Sequence, residues 1–367
     1  MIISKVDGDH SVRIQVFEYL DDRDEILGSP NPKTYSSLFS CLLVNSHWCE
    51  SVIPILWRHP FHRCHKRGGE LLIQTFLSCL DNSERQQLYN DGVYVPGGKY
   101  DLPVFNYPTF LKNFDYFEMI SFVKSWCKFY LEDGTEESVS AILRSILKLF
   151  VARSAHLNTL SIRSTSCEEK YMLLTEPAIC PLIKPLKNLY INCYSIDRLN
   201  TAESCPKVNL LGALIKQCQH LNTIRINNLS VNDGSSMLIA KKLALLIENQ
   251  RGLKRIILSR CKKFANIIIP SLEKQKRTLR HVGFRGIDFE GCCKWDTLKY
   301  CSKLEKLDIV DCYNINDTMI SPLLNHNHHK TFKNLKHASV YNCRPIRIND
   351  KLESWAYRIH CRQRQYC

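Results

Sequence analysis

One short hydrophobic pattern, apolar-x-x-apolar-x-apolar, returns seven times in the C-terminal part of this chain. It reads Leu157-x-x-Leu160-x-Ile162, Leu186-x-x-Leu189-x-Ile191, Leu221-x-x-Ile224-x-Ile226 and Leu253-x-x-Ile256-x-Leu258. It continues as Leu279-x-x-Val282-x-Phe284, Leu304-x-x-Leu307-x-Ile309 and Leu335-x-x-Ala338-x-Val340. The first-position leucines are separated by 29, 35, 32, 26, 25 and 31 residues, so the unit repeats at a loose period with insertions on its outer side. The last two apolar positions lie two apart and therefore share one face of a short strand. A single unit exposes an apolar edge that only a stacked neighbour can bury.

Between these strands the apolar spacing changes to that of a helix. Leu210, Leu211, Leu214, Ile215 and Cys218 share a face, as do Leu238, Leu243, Leu246 and Ile247, with Ser235-Ser236 as a cap. Ile315, Met319, Leu323 and Leu324 mark another. Strand, loop and helix in repetition predict a right-handed horseshoe, parallel strands inside and helices outside. This resembles the cysteine-containing class of leucine-rich repeats over residues 151–345, followed by a basic tail or cap at 346–367. Cys261, Cys312 and Cys343 stand three residues after the last apolar position and Cys193 two after it, where a small buried hydrophobe with a weak donor suits the turn leaving the strand.

Residues 10–60 have a different texture. Ile14, Phe17 and Leu20 share a helical face, and a breaker-rich loop, Gly28-Ser29-Pro30-Asn31-Pro32, follows. Then come the run Leu38 to Trp48 and the closing Leu56-Trp57-Arg58. The order Ile14-x-x-Phe17-x-x-Leu20, Val44-Asn45-Ser46-His47-Trp48, Leu56-Trp57-Arg58 resembles the F-box, a small helical motif, in its fungal form. The family's opening Leu-Pro is absent, His10-Ser11-Val12 standing in its place, and the Pro-rich loop lengthens the gap between Leu20 and Val44. Read from the residues alone, the same segment also fits a capping helix pair at the end of a solenoid.

Residues 61–150 read as a helical linker or a degenerate first repeat. Phe114, Phe117, Met119, Phe122, Val123 and Trp126 suggest an aromatic helix; Val139, Ile142, Leu143, Ile146 and Leu147 form an amphipathic one; 92–108 reads as a loop.

The fold class is thus α/β: a short all-helical N-terminal F-box-like module, then an irregular leucine-rich-repeat solenoid. The resemblance implies a substrate receptor of a Skp–cullin–F-box ubiquitin ligase. Ile14, Phe17, Leu20, Leu38, Val44, Trp48 and Trp57 would contact the Skp-family adaptor, and through it a cullin, while the solenoid holds a protein substrate. A repeat scaffold without ligase association is the second reading, and a nucleic-acid-binding solenoid the third.

Charge sharpens the choice of partner. Residues 1–250 carry 26 Lys/Arg and 26 Asp/Glu, whereas 251–367 carry 24 and 10, which is the whole net charge of +14. A basic half attracts acidic or phosphorylated protein segments or nucleic acid, or serves only solubility. Strand residues alternating with the buried ones give the candidate substrate face: Arg163, Tyr190, Arg225, Arg255, His281, Arg285, Lys306 and Tyr341, beside Ser161, Asn192, Asn227, Ser259 and Asp308. Arginine grips carboxylate or phosphate through paired N–H groups, and tyrosine supplies rigid contact area. A rim loop, or the tail from Lys351 with Arg358, Arg362 and Arg364, is the alternative contact surface.

No catalytic signature is present: no G-x-S-x-G, P-loop, G-x-G-x-x-G or H-E-x-x-H occurs. The 18 cysteines include no C-x-x-C pair, which removes the usual zinc spacings. His62, Cys64 and His65, and the run Asn325 to His329, fit polar loops better than metal sites. The expectation is a non-catalytic binding protein with no cofactor and no metal. The acidic N-terminus and the lack of any apolar run long enough to span a bilayer predict no membrane association and an intracellular location, cytoplasmic or nuclear.

Overall fold

Each of the seven hydrophobic motifs folds as a five-residue strand. The computed structural model describes residues 38–63, 66–95, 103–131, 134–163, 168–192, 206–229, 234–261, 264–291, 295–324 and 334–364. Two compact units meet in the sequence between Leu157 and Asn158.

Among its described residues, the regular structure of the first unit is helical apart from one short strand. A helical segment, 38–42, precedes α1 (Ser46–Leu56), α2 (Pro60–Arg63), α3 (Lys66–Ser78) and α4 (Asn82–Asn90). Then follow β1 (Asn113–Asp115), α5 (Tyr116–Tyr130) and α6 (Glu136–Ala152). The aromatic stretch therefore divides: Phe114 lies on β1, and the helix begins at Tyr116, where the Asp115 side chain accepts from the Glu118 N–H at 3.1 Å. The amphipathic helix expected around Val139–Leu147 is α6, with Thr135 as its cap. The core between these helices is aromatic. Phe76 meets Phe150 edge-on at 5.0 Å, Phe114 meets Phe150 at 5.8 Å, and Phe61 stacks on Phe122 at 6.3 Å. Gly69 on α3 lies against the Phe122 ring so closely that a Cβ there would collide with it, so α3 and α5 pack through a glycine.

The second unit is a parallel α/β coil. Its strands are β2 (Thr159–Arg163), β3 (Asn188–Asn192), β4 (Thr223–Asn227), β5 (Arg255–Ser259), β6 (His281–Arg285), β7 (Lys306–Val310) and β8 (His337–Tyr341). They pair in sequence order, all parallel, with corresponding motif positions in register. The second and fourth residues of every strand form two inner rows, from Leu160 to Ala338 and from Ile162 to Val340. The first-position leucines are buried beside them.

The returns between strands differ in length, as the loose period requires. α7 (Pro206–Gln217) and α8 (Gly234–Glu248) are full helices, whereas α9 (Ala265–Ser271), α10 (Asp296–Lys299) and α11 (Asp317–Leu324) are short. Ser235 and Ser236 stand inside the first turn of α8 rather than ahead of it, so they do not occupy the cap position expected of them. α12 (Ile346–Arg364) buries Ile348, Leu352, Trp355 and Ile359, and its His360 Nε2 lies 3.1 Å from the Ala338 carbonyl of β8. The C-terminal segment is therefore a helix lying against the last strand, whose open edge it covers.

Both ends of the strands repeat the same hydrogen bonding. On entry, two consecutive N–H groups donate to one carbonyl of the preceding turn. Lys254 and Arg255 donate to Asn222, Arg280 and His281 to Lys254, Glu305 and Lys306 to Arg280, and Lys336 and His337 to Glu305. On exit, the residue after the strand is left-handed: Asn228, Arg260, Gly286, Asp311 and Asn342 have φ between 53° and 59°. The N–H groups of Asn228, Arg260, Gly286 and Asp311 donate to the last carbonyl of the next strand. The following residues, Leu229, Cys261, Ile287, Cys312 and Cys343, return to the core. The Cys261, Cys312 and Cys343 thiols donate to Ile226, Phe284 and Ile309 carbonyls at 3.9, 3.5 and 3.4 Å. Cys193 lies outside the described residues.

Two glutamines close the helical side. Gln250 accepts from the Leu221 N–H and donates to the Cys218 and Leu246 carbonyls. Gln275 accepts from the Leu253 N–H and donates to the Ile247 and Gln250 carbonyls at 2.8 and 2.7 Å. Gln275→Ala would leave the Leu253 N–H and the Gln250 carbonyl without this partner, the Ile247 carbonyl keeping the Gln250 N–H, a loss of about 2–4 kcal/mol. Chemical denaturation should show that loss, with the exposed neighbour Lys274→Ala changing stability by less than about 0.5 kcal/mol; equal effects would mean the glutamine bridge carries no stability.

Candidate functional site: the open face of the sheet

With the second and fourth strand residues inside, the first, third and fifth stand on the opposite face. The third-position row reads Ser161, Tyr190, Arg225, Ile257, Gly283, Asp308 and Ser339. The fifth-position row reads Arg163, Asn192, Asn227, Ser259, Arg285, Val310 and Tyr341.

These rows surround a concavity of about 330 Å³ over β2–β6. Four residues expected on the substrate face, Arg163, Tyr190, Arg225 and Arg285, line it with Ser161, Asn192, Asn227, Ile257 and Ser259. The Arg225 guanidinium lies over the Tyr190 ring, 5.0 Å from its centre, which fixes both groups and contributes on the order of 0.5–1 kcal/mol at such an exposed site. Asn228 donates to Asn192 Oδ1 at 2.8 Å, leaving the Asn192 Nδ2 amine as a donor. Asn227 Oδ1 is buried without a hydrogen-bond partner among the described residues. Three guanidiniums and no acidic side chain line this wall among the described residues, and a wall of that kind favours an anionic group with several acceptor oxygens.

Beyond Gly283 the face changes character. Asp308 is only 2% exposed, yet it stands on the open face. Its Oδ2 lies 3.0 Å from His281 Nε2, 3.3 Å from Arg285 Nη2 and 3.6 Å from Lys306 Nζ. Burial alone would raise the Asp308 pKa, but the His281, Lys306 and Arg285 groups around it together bring it below the usual carboxylate value. His281, Lys306 and Arg285 are therefore drawn together by a carboxylate of the chain itself. This is a correction for His281, whose ring is 12% exposed and pairs with Asp308 instead of standing open to a ligand. Arg255 stands exposed at the start of β5 and Tyr341 at the end of β8, and neither lines the concavity. Asp308 as the hub of the cluster was not legible beforehand, because its three partners come from two strands and only the register joins them.

The segment expected to meet an adaptor is placed in part. Ile14, Phe17 and Leu20 lie outside the described residues. Leu38, 1% exposed, packs with Val52, Ile55 and Leu56, and Cys41, Leu42, Trp48 and Trp57 pack around that cluster. The Trp57 ring also meets Tyr107 at 4.1 Å and Phe76 edge-on at 5.6 Å. Leu38 is thus an interior group, while Trp48 and Trp57 are half-buried. The apolar side chains left open on this segment are Val44, 54% exposed, and two that sequence reading did not single out, Phe39 at 59% and Leu43 at 88%. Asn45 caps α1, its side chain accepting from the Trp48 N–H at 2.9 Å, so this apolar set directly precedes a well-started helix.

No grouping of His, Cys, Asp and Glu suited to a metal is present among the described residues. Cys64, His65 and 325–329 lie outside them, as does the side chain of His62. Burial pushes the Cys218 and Cys301 thiols up to about 12 and those of Cys79 and Cys127 to about 11, so all four stay protonated at neutral pH. No helix among the described residues is long and apolar enough to cross a membrane. The fold and site define an α/β coil of parallel strands with a basic concavity on its open face. Compared with protein-family models, curated proteins and solved structures, the chain matches none.

Replacing Asp308 by alanine should destabilise the chain by about 1–2 kcal/mol at neutral pH, because His281 loses its hydrogen-bond partner while Arg285 and Lys306, each roughly half exposed, lose a counter-ion that solvent partly replaces. The Asp308 pKa is depressed from 3.8, so its contribution is present above that value and fades as pH falls through the lower folded value. Urea denaturation of Asp308→Ala and wild type between pH 7 and pH 3 should show the gap constant above about pH 5 and narrowing below pH 4; a gap that widens in acid would contradict the assignment.

Proposed function

We propose that this chain is the substrate-recognition subunit of a Skp–cullin–F-box ubiquitin ligase, acting in the cytoplasm or nucleus. The observation that carries the reading is at residues 38–58. The ordered motifs Val44-Asn45-Ser46-His47-Trp48 and Leu56-Trp57-Arg58, which resemble the F-box, stand at the start and the end of one capped helix. That segment leaves Phe39, Leu43 and Val44 open for a partner. The coil of the second unit fits a leucine-rich-repeat solenoid, and its basic concavity suits a protein substrate presenting acidic or phosphorylated side chains. The chain performs no bond chemistry in this scheme. It raises the effective concentration of substrate lysines near a ubiquitin-charged enzyme. A second reading, a repeat scaffold without ligase association, draws on the in-chain burial of Leu38, which fits a capping helix pair.

Co-purification with a Skp-family adaptor tests the first reading. Wild type should retain the adaptor, and a Leu43→Asp, Val44→Asp double variant should lose it while keeping the wild-type circular dichroism. These exposed positions are better probes than Leu38, whose replacement would unfold the cluster it belongs to. Well-folded wild type that does not associate would leave the scaffold reading.

A further inference from the structure

The strand-entry side of the second unit carries a repeated line of cations. Strand entry places a cation immediately before the strand in turn after turn: Lys187, Lys254, Arg280 and Lys336 are all exposed there. These positions stack directly, since the carbonyl of Lys254 takes the N–H groups of Arg280 and His281, and that of Glu305 takes those of Lys336 and His337. Glu305, the acid in the same column, is ion-paired with Arg280. Three residues further back a second column repeats the charge with Lys184, Arg251 and Arg277, also exposed. The strand-exit side is mixed, carrying Asp288, Glu290 and Asp311 together with the exposed Arg260, Arg285 and Arg344. From β3 to β8 the entry edge runs for roughly 24 Å at the ladder spacing of about 4.8 Å per strand.

Two rings accompany the cations. Tyr300, in the return before β7, is 55% exposed, with the Lys276 ammonium 5.8 Å from its ring centre. His337 stands exposed at the start of β8, next to Lys336. A line of cations with exposed rings matches a polyanion that has both a charged backbone and flat faces to stack. A line of this width does not match a lipid surface, which would meet a broad patch and inserted apolar side chains. An acidic peptide would use the cations but not the rings.

We propose that the strand-entry edge of the coil, from β3 to β8, is a binding surface for single-stranded nucleic acid, its phosphates following the two cation columns and a base stacking on Tyr300. This surface is distinct from the concavity over β2–β6 and does not depend on the ligase reading. It places nucleic-acid contact on the edge of the sheet, not on the basic C-terminal helix.

The test is fluorescence anisotropy of a labelled oligouridine of about twenty nucleotides, titrated with the full chain between 50 and 200 mM KCl, a range over which phosphate contacts weaken steeply. Wild type should bind with strong salt dependence. The triple variant Lys254→Ala, Arg255→Ala, Lys336→Ala should bind at least about tenfold more weakly, with a log–log salt slope shallower by about 2, from three lost contacts at roughly 0.7 each. Tyr300→Ala should weaken binding several-fold with an unchanged slope, and Arg163→Ala, Arg225→Ala in the concavity should leave it intact. All these side chains are at least partly exposed, and melting curves identify any variant that fails to fold. Absence of binding at 50 mM salt would overturn the proposal, as would binding indifferent to the triple variant. Equal, equally sensitive binding of a polyglutamate peptide or of phosphatidylserine vesicles would overturn it in favour of a general anion surface.

Discussion

A turn of this coil cannot bury its own apolar residues. A five-residue strand turns two side chains inward and three outward, and the inner pair has nothing to pack on until the neighbouring strands arrive in register. Register is therefore the constraint on which everything else rests, and hydrogen bonds at both strand ends enforce it. At entry, two N–H groups converge on one carbonyl; at exit, a left-handed residue donates to the next strand and turns the chain back toward the core. Left-handed backbone costs an L-residue on the order of 1–2 kcal/mol, least for Asn and Asp, and Asn228, Asp311 and Asn342 hold three of these positions. At two of the turns the side chains also bond across, Asn342 to Asp311 and Asn228 to Asn192.

The same register composes the outer face, because residues distant in sequence become neighbours one strand apart. Tyr190 and Arg225 are 35 positions apart in sequence yet stand directly paired, which is why a cation can rest on the ring. Asp308 is held by groups 27, 23 and 2 positions away. Its carboxylate holds His281, Arg285 and Lys306 in place and lowers the local positive charge. The open face thereby runs from a basin containing Arg163 and Arg225 to a cluster around Asp308, with Arg285 lining the basin and paired to that carboxylate.

How much of this was legible in the sequence follows from which interactions are local. The seven strands were, because period-two apolar spacing is a property of six consecutive residues. So were the positions of Cys261, Cys312 and Cys343, which belong to the turn right after each strand. One more example of the motif went unread: Leu111-x-x-Phe114-x-Tyr116, all three buried, spans β1, and the N–H groups of Lys112 and Asn113 converge on the Arg58 carbonyl as at the entries to β3–β8. Its aromatic second and third positions made it look like part of the helix that begins at Tyr116. Gln250 and Gln275 were not legible either, because a glutamine in a polar sequence context gives no sign that it will bridge backbone groups of adjacent turns. Leu38 and Trp57 were read as partner-facing from motif position alone; their packing partners, among them Tyr107 and Phe76, lie up to 50 residues further along.

Charge shows the limit of local reading most clearly. The excess of cations in residues 251–367 is plain in the composition, but composition assigns it no direction. The repeat does: the cations one or four residues before β3, β5 and β6, and the one directly before β8, are carried to the same edge. A coil whose strands stay in register turns a preference at one sequence position into a line along that edge, even though its returns differ in length. An electrostatic surface can therefore arise on its edge without any change to the inner rows that hold the coil together, or to the outer rows that form the basin. Edge, basin and the apolar set around Val44 are built from different positions of the chain, so substitutions in one leave the others standing, and each can be tested for its partner by itself.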